Sequence, residues 1–122
     1  MTEIKRILVV EDQPLLLLEL ADQLAELGYD VRTAGSARTA SYMMDQTVDG
    51  LVTDIELGDG PDGLVLARLA ARTRPRLPIV VVSGGVRPAA AQLPPGAVFL
   101  PKPYLVADIV AALCAQQTAR AA

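Results

Sequence analysis

The sequence predicts an α/β fold, a doubly wound parallel sheet of five strands with helices on both faces. Five short segments rich in Val, Ile and Leu alternate with segments whose apolar residues recur at helical spacing. The first, third and fourth short segments are continuously apolar, which is typical of central strands that helices cover on both faces. The segment "DVRTA" alternates instead, as an edge strand does. We therefore expect the strand order 2-1-3-4-5.

Turn residues and caps set the predicted boundaries of each element. The strands are predicted at Arg6 to Val10, Asp30 to Ala34, Leu51 to Thr53, Ile79 to Val82 and Ala97 to Leu100. The first helix is predicted to begin at Pro14 and to end before Gly28. Its apolar stripe consists of Leu17, Leu20, Leu24 and Leu27. Three more helices are predicted from the N-cap Ser36 to about Gln46, from about Gly63 to Thr73, and from Leu105 to about Arg120.

The segment between the fourth and fifth strands differs from the other connections. It reads "SGGVRPAAAQLPPGA" and contains Pro88, Pro94 and Pro95. Proline lacks the backbone N–H that a helix interior needs, so at most two helical turns fit between these positions. We therefore expect a short or distorted fourth helix here.

Composition limits the function classes. At 122 residues we expect one domain, spanning residues 1-122, with no output domain. The net charge of -3 offers no basic patch, so direct nucleic-acid binding is not expected. There is no histidine, and Cys114 is the single cysteine, expected in the core, so imidazole metal sites and internal disulfides are excluded. We see no signal peptide or membrane-spanning run, and expect a cytoplasmic protein with no membrane partner.

Polar residues follow the apolar strands at the edge where parallel strands share their carboxyl ends. The first strand leads into Glu11 and Asp12, the third into Asp54, the fourth into Ser83, and the fifth into Lys102. Ligands of open parallel sheets bind at this edge. Carboxylates that meet there repel one another unless a cation joins them, and oxygen ligands without His or Cys favour Mg²⁺. The sequence therefore predicts a magnesium site.

Each of these residues also has a plain structural interpretation. Glu11 and Asp12 are compatible with a solvated turn in which Asp12 caps the first helix. Asp54 and Ser83 are ordinary residues for the start of a Gly-containing loop, and Lys102 for an exposed surface. These interpretations weaken when all five residues are placed at matching strand ends.

The motifs "VVED", "LVTDIELGDGPDG", "PIVVVSGG" and "VFLPKPY" occur in that order along nearly the whole chain. In this order they resemble the receiver domain of two-component response regulators, of the chemotaxis-regulator-like kind. The resemblance implies a flavodoxin-like fold. It also implies that Asp54 is the phosphoacceptor, which takes a phosphoryl group from a histidine kinase in the presence of Mg²⁺. The metal ligands implied are Glu11, Asp12, Asp54 and the backbone carbonyl of Glu56.

The resemblance implies further roles at the ends of the last two strands. Ser83 and Lys102 would act on the phosphoryl group, and Ser83 and Phe99 would form the conformational switch. "KP" resembles the family's cis peptide. The chain departs from the family pattern in the loop after Asp54, which is about one residue longer, and in the shortened segment before the fifth strand. Phe99 replaces the commoner tyrosine, and Glu56 adds a carboxyl group beside the metal, at a position that tends to tune dephosphorylation.

The leading hypothesis is therefore a phosphoacceptor switch in a phosphorelay, not an enzyme acting on other substrates. Its expected partners are a sensor histidine kinase or histidine phosphotransferase and an unidentified downstream protein, and a homodimer stays open. Apolar residues on the first helix, among them Leu15, Leu16 and Leu18, are expected to be partly exposed and to bind the kinase. Two alternatives are a receiver-like interaction module that ignores phosphate and an aspartate-nucleophile phosphatase.

Overall fold

A computed structural model of the chain describes residues 3–121, with side chains up to residue 119. Within these residues there are five strands and four α-helices, and a helix follows every strand except the fourth. The strands are β1 (Arg6–Val10), β2 (Asp30–Ala34), β3 (Gly50–Asp54), β4 (Ile79–Ser83) and β5 (Val98–Pro101). The helices are α1 (Pro14–Glu26), α2 (Ala37–Met43), α3 (Gly63–Thr73) and α4 (Val106–Ala121). The predicted α/β class is confirmed.

The strands form one parallel sheet in the order β2-β1-β3-β4-β5, as predicted. The alternating segment "DVRTA" is β2 and lies at an edge, while the continuously apolar β1, β3 and β4 lie inside. Within β1, Ile7 and Val9 face one apolar cluster, whereas Leu8 and Val10 face another. A strand that is buried on both faces needs apolar residues at consecutive positions, which explains the unbroken apolar runs.

The two clusters lie on opposite faces of the sheet beneath different helices. Helices α2 and α3 contribute residues such as Ala40 and Leu66 to one cluster. Helices α1 and α4 contribute residues such as Leu24 and Ile109 to the other. This is the doubly wound arrangement, which leaves the carboxyl edge of the sheet clear of helices.

Helix α1 begins at Pro14 as predicted, and its N-cap is Gln13, whose side chain makes no capping hydrogen bond. The interpretation of Asp12 as the cap is therefore wrong. Gly28 follows the helix with φ +99°, a conformation that glycine adopts without strain. The predicted apolar stripe is wrong at its last member, because Leu27 lies past the helix end and is 59% exposed. Helical periodicity no longer sets the direction of that side chain.

Helix α2 begins after Ser36, whose hydroxyl accepts a hydrogen bond from Thr39 N at 3.1 Å, as predicted for an N-cap. It ends at Met43, three residues before the predicted end at Gln46. Asp45 accepts a hydrogen bond from Thr47 N at 2.8 Å and forms a local turn there. The Arg74 guanidinium donates to the backbone carbonyl of Asp45 at 2.7 Å and holds that turn against α3.

The connection between β4 and β5 contains a single 3₁₀ turn, Ala90–Gln92. The expected short helix is thus reduced to its minimum, and the flanking prolines explain why it does not extend. Arg68 of α3 donates to the carbonyl of Gln92 at 2.9 Å and ties this turn to the fold.

Helix α4 packs on β4 through a buried side chain that the sequence did not point to. The Gln116 amide accepts from Ile79 N at 2.9 Å and donates to Ile79 O at 2.8 Å. Cys114, two residues earlier, is exposed, so the prediction that it lies in the core is wrong. Its direction is set by the turn of the helix, since Leu113 and Gln116 face the sheet. Among residues 3–121, no helix is long and apolar enough to cross a membrane.

Candidate functional site

The candidate site lies at the carboxyl edge of the sheet, where four strands deliver polar residues. Asp54 and Ser83 are the last residues of β3 and β4, so both strands extend one residue further than predicted. Glu11 directly follows β1, and Lys102 directly follows β5. Glu11, Asp54 and Ser83 are all more than nine-tenths buried. Buried polar groups need partners, and here Lys102 donates to Glu11 and Asp54, while Ser83 donates to Glu56.

Three carboxylates meet at this edge. One oxygen each from Glu11, Asp12 and Asp54 lies within 4.8 Å of the others. Asp12 is exposed, whereas Glu11 and Asp54 form the buried floor of the cluster. A set of hard oxygen donors with an open side fits Mg²⁺, which takes one or two carboxylates and keeps several waters. The cluster could therefore hold such a cation.

Lys102 places a positive charge against the buried carboxylates. Its Nζ donates to Asp54 Oδ2 at 2.7 Å and to Glu11 Oε1 at 3.0 Å. The Lys102-Pro103 peptide bond is cis. Burial alone would lower the pKa of Lys102, but the hydrogen bonds to Asp54 and Glu11 outweigh it and raise the pKa to about 12. The amine is therefore charged at neutral pH.

Burial dominates the electrostatics of Glu11. Desolvation raises its pKa above the ordinary value, although the hydrogen bonds from Lys102 and from Gln13 N oppose this shift. Further carboxylates at Asp12 and Asp54 add to the rise. Negative charge thus accumulates at this edge beyond what one lysine neutralises, which is the condition under which a second cation is attracted.

The backbone around Asp54 is fixed by close packing. The Thr53 hydroxyl donates to Asp54 O at 2.9 Å, and Gly63 N donates to Ile55 O at 2.9 Å. A Cβ at Gly63 would lie 1.8 Å from Asp54 O, so the start of α3 approaches the end of β3 as closely as only glycine allows. The loop between them folds back on itself and holds Asp54 at the edge.

Ser83 does not contact Asp54. Its hydroxyl donates to Glu56 Oε1 at 2.5 Å and accepts from Gly85 N at 3.2 Å and Val86 N at 2.9 Å. The backbone N–H of Glu56 donates to Asp54 Oδ1 at 3.3 Å, which places the two acidic residues side by side. The sequence indicated the carbonyl of Glu56 as functional but gave no signal for the pairing of its side chain with Ser83.

Phe99 lies on β5, half-buried against the apolar cluster that α2 and α3 cover. The Arg87 guanidinium lies over its ring, 5.7 Å from the ring centroid. A cation over an aromatic face is a favourable contact. Packing of the ring against the core is thus observed.

The structure therefore divides the predicted site residues into two groups and one separate residue. Glu11, Asp12, Asp54 and Lys102 form one cluster, and Glu56 and Ser83 form an adjacent pair. Phe99 lies apart from both groups, within β5. The interpretation of Lys102 as an exposed surface lysine is wrong, because its ammonium group donates hydrogen bonds to two carboxylates that follow or end other strands.

Comparison with known proteins identifies the family. The model of the response regulator receiver domain matches residues 7–114. The chain belongs to this family. A response regulator receiver protein from Sinorhizobium medicae has the same fold, with a TM-score of 0.86 and 33% identity over 97% of this chain and 98% of that one. The predicted flavodoxin-like receiver fold is therefore confirmed.

Curated relatives of this receiver domain include the virulence transcriptional regulatory protein PhoP of Salmonella typhimurium. It is 34% identical over 110 residues, which cover 87% of this chain and 49% of PhoP. The transcriptional regulatory protein AruR of Pseudomonas aeruginosa is 37% identical over 90 residues, which cover 69% of this chain and 36% of AruR. The chain thus spans half or less of these relatives.

A response regulator protein from Burkholderia pseudomallei shares the fold with a TM-score of 0.80. It is 30% identical over 96% of this chain and 71% of that one. That protein was crystallised with a phosphorylated aspartic acid, a calcium ion and citrate.

Proposed function

We propose that this receiver domain is a phosphoacceptor switch in which Asp54 accepts a phosphoryl group from a histidine kinase or histidine phosphotransferase. The observation that carries the proposal is the buried Asp54 carboxylate with an ammonium group 2.7 Å away and two further carboxylates within 4.8 Å. This arrangement supports a site that combines a nucleophile, a fixed positive charge and a divalent cation. The Burkholderia pseudomallei relative, with its phosphorylated aspartic acid and calcium ion, supports this assignment.

The proposed reaction is an in-line transfer. One Asp54 carboxylate oxygen attacks phosphorus, the new O–P bond forms, and the N–P bond of the phosphohistidine breaks. The electron pair of that bond stays on the donor imidazole nitrogen, which takes a proton from solvent. Lys102 contributes charge neutralisation at the transferring oxygens, and the fixed backbone around Asp54 contributes orientation. The domain thereby promotes its own phosphorylation and dephosphorylation only.

Mg²⁺ is the cofactor that the donor set fits. Asp12 and Asp54 would bind it directly, Glu11 partly through water, and the backbone carbonyl of Glu56 would complete the protein's share. When bound, the ion neutralises charge on the phosphoryl oxygens. Asp12 would supply the ligand on the solvent side, since it is the exposed member of the cluster.

Phosphorylation would shift an equilibrium between two states. Ser83 would turn toward the new phosphoryl oxygens, and Phe99 would move further inward. Both side chains lie on the last two strands, so the surface around β4 and β5 would change its affinity for a downstream protein. Phe99 has no hydroxyl group, so its movement would be read through packing alone.

The kinase would dock on helix α1, whose first turns present apolar side chains to solvent. Leu15 is 81% exposed and Leu18 57% exposed, with Leu16 partly exposed beside them. An unpaired apolar patch next to the site fits the helices of a phosphodonor domain. Leu15→Ser combined with Leu18→Ser should slow phosphotransfer from the cognate kinase while leaving labelling by acetyl phosphate unchanged. Equal rates from the kinase would remove this docking site from the proposal.

We extend the proposal to the context of the domain. It lies in the cytoplasm, with no direct nucleic-acid or membrane contact of its own. The partner that recognises the activated state is a different protein or a second copy of the chain in a homodimer, and sedimentation equilibrium with and without a phosphoryl mimic distinguishes these outcomes.

Acetyl phosphate with Mg²⁺ provides the direct test of the acceptor. Wild-type protein should gain the mass of one phosphoryl group, and Asp54→Asn should not. Asp59→Asn, which removes an exposed carboxylate from the same loop, serves as the matched control and should be labelled like the wild type. Labelling of Asp54→Asn, or none of the wild type, would contradict the proposal, and the second outcome would favour a phosphate-independent interaction module.

A further inference from the structure

We propose that the Glu56 side chain is a positioning residue that holds Ser83 in the unphosphorylated arrangement and so lowers the domain's affinity for a phosphoryl group on Asp54. This inference rests on the proposed function and concerns the pair of residues next to the carboxylate cluster. Its basis is the hydrogen-bond capacity of one hydroxyl group.

The Ser83 hydroxyl has no capacity left for another partner. A serine hydroxyl offers one donor and two acceptor positions. Its proton is donated to Glu56 Oε1 at 2.5 Å, and its oxygen accepts from Gly85 N and Val86 N. Ser83 therefore cannot donate to a phosphoryl oxygen until it gives up Glu56. The bond to be broken is short and accepted by a carboxylate, which makes it stronger than a bond between neutral groups.

The Glu56 carboxylate also accepts hydrogen bonds from donors of this loop that a phosphoryl group would otherwise use. Its Oε1 lies 3.4 Å from Gly85 N, so one carboxylate oxygen faces two donors. A Cβ at Gly85 would lie 3.1 Å from Glu56 Oε2, which shows how closely the carboxylate packs on the backbone. A phosphoryl group on Asp54 would bring more negative charge to the neighbouring residue, because Glu56 N is hydrogen-bonded to Asp54 Oδ1. Competition for donors and repulsion between charges act in the same direction.

The hydrogen bond between Ser83 and Glu56 can be broken without burying a charge. The Glu56 side chain is exposed, so its carboxylate can replace the hydrogen bond from Ser83 with one from water at modest cost. The loop would respond at once, since the amides of Gly85 and Val86 are bonded to the Ser83 oxygen that moves. Arg87, the next residue, lies over the Phe99 ring. The hydrogen bond between Glu56 and Ser83 thus couples the acceptor to the surface of β5.

Beryllofluoride with Mg²⁺ serves as the phosphoryl mimic, and the amide signals of Gly85 and Val86 in NMR spectra serve as the readout. Removal of one charge-assisted hydrogen bond should lower the apparent Kd for the mimic about tenfold in Glu56→Ala. Glu56→Gln keeps an acceptor but loses the charge, so its Kd should lie between those of Glu56→Ala and the wild type. Asp59→Ala removes a carboxylate of the same loop that does not reach Ser83 and should change the Kd less than twofold. Each variant is also titrated with Mg²⁺ alone to separate effects on the cation.

A double-mutant cycle with Ser83→Ala tests whether Glu56 acts through the hydroxyl. In the Ser83→Ala background, Glu56→Ala should lose most of its effect on the Kd. Before any mimic is added, Glu56→Ala should already shift the Gly85 and Val86 amide signals, while Asp59→Ala should not. An equal gain in affinity from Glu56→Ala in both backgrounds, or equal Kd values for Glu56→Ala and Asp59→Ala, would overturn the proposal.

The outcome also separates this inference from the proposed function. If the wild type binds the mimic and Glu56→Ala binds it no more tightly, only the role of Glu56 fails. If neither the wild type nor any variant responds to the mimic, the proposed acceptor function fails, and the inference about Glu56 fails with it. Binding by Glu56→Ala but not by the wild type would support the inference in its strongest form.

Discussion

Strands β3 and β5 both bring a site residue to the same edge, but they differ in their surroundings. Every residue of β3 is buried, and Asp54 ends the strand with its backbone fixed by Thr53 and Gly63. No residue of β5 is fully buried, and the strand lies at the edge of the sheet. The proposed acceptor therefore lies at the buried centre of the sheet, and Phe99, one of the two side chains proposed to switch, lies on a less buried strand, where movement breaks fewer contacts.

This difference fits the separate tasks that we propose for the two strands. A nucleophile must keep its position relative to Lys102 and the other carboxylates, because small displacements are costly in catalysis. A switch must have two arrangements of similar free energy. An edge strand with half-buried residues satisfies the second requirement, since fewer contacts are lost when it shifts. The following variants are designed to break or sharpen this contrast.

The largest effect is expected from cavities in the two strands. Leu51→Ala in β3 removes a fully buried side chain and should lower the free energy of unfolding by about 3–4 kcal/mol. Leu100→Ala in β5 removes a half-buried one and should cost about 1–2 kcal/mol. Urea unfolding followed by circular dichroism measures both. Equal losses would mean that the edge strand is as firmly packed as the centre.

The next effect concerns Gln116, which joins α4 to β4 between the two strands. Gln116→Ala leaves the N–H and carbonyl of Ile79 without their present partner and should cost about 2–3 kcal/mol of unfolding free energy. Gln117→Ala, one position on and less buried, is the positional control and should cost less. Hydrogen exchange at the Ile79 amide should accelerate in Gln116→Ala. Unchanged protection would show that the backbone of β4 finds other partners.

Lys102 follows β5 and forms an ion pair with Asp54 at the end of β3, so its removal tests how much this positive charge affects the carboxylates. Lys102→Ala takes a positive charge away from Glu11 and Asp54 and should tighten Mg²⁺ binding by on the order of 1 kcal/mol, about fivefold. Phosphorylation by acetyl phosphate should nevertheless slow, because the charge at the transferring oxygens is lost. Lys5→Ala makes the same change in charge at the amino end of the sheet, directly before β1, and should change neither Mg²⁺ binding nor the rate of phosphorylation. Weaker Mg²⁺ binding in Lys102→Ala would contradict this account.

The smallest effect is expected at the other edge strand. The hydrogen bond from Arg6 to Asp30 at the start of β2 lowers the pKa of that carboxyl below its ordinary value of 3.8. This hydrogen bond therefore contributes to stability above pH 3.8, and the contribution is lost as the pH falls through the lowered pKa of Asp30 in the folded protein. Asp30→Asn should be slightly less stable than the wild type at neutral pH, and the difference should vanish in acid. Both groups are partly exposed, so salt should also reduce the difference.

Much of the fold could be predicted because local patterns and tertiary structure agree. The apolar runs of β1, β3 and β4 reflect burial on both faces, and Pro14, Gly28 and Ser36 act within their own turns. Predictions failed at the ends of elements. The residues after α2 form a turn whose backbone is hydrogen-bonded to Arg74, which follows α3 and is distant in sequence. Leu27 is exposed because α1 ends before the last member of its predicted apolar stripe.

The same division holds for the site. Sequence by itself determined which residues reach the carboxyl edge, because parallel strands must end on one side and a polar residue ends or directly follows β1, β3, β4 and β5. Only the tertiary structure decided how those residues pair. Lys102 meets Glu11 and Asp54 across three strands, while Ser83 turns to Glu56. The physical reason is that a hydrogen bond depends on distances of tenths of an ångström between side chains from separate elements, and strand order alone does not fix them.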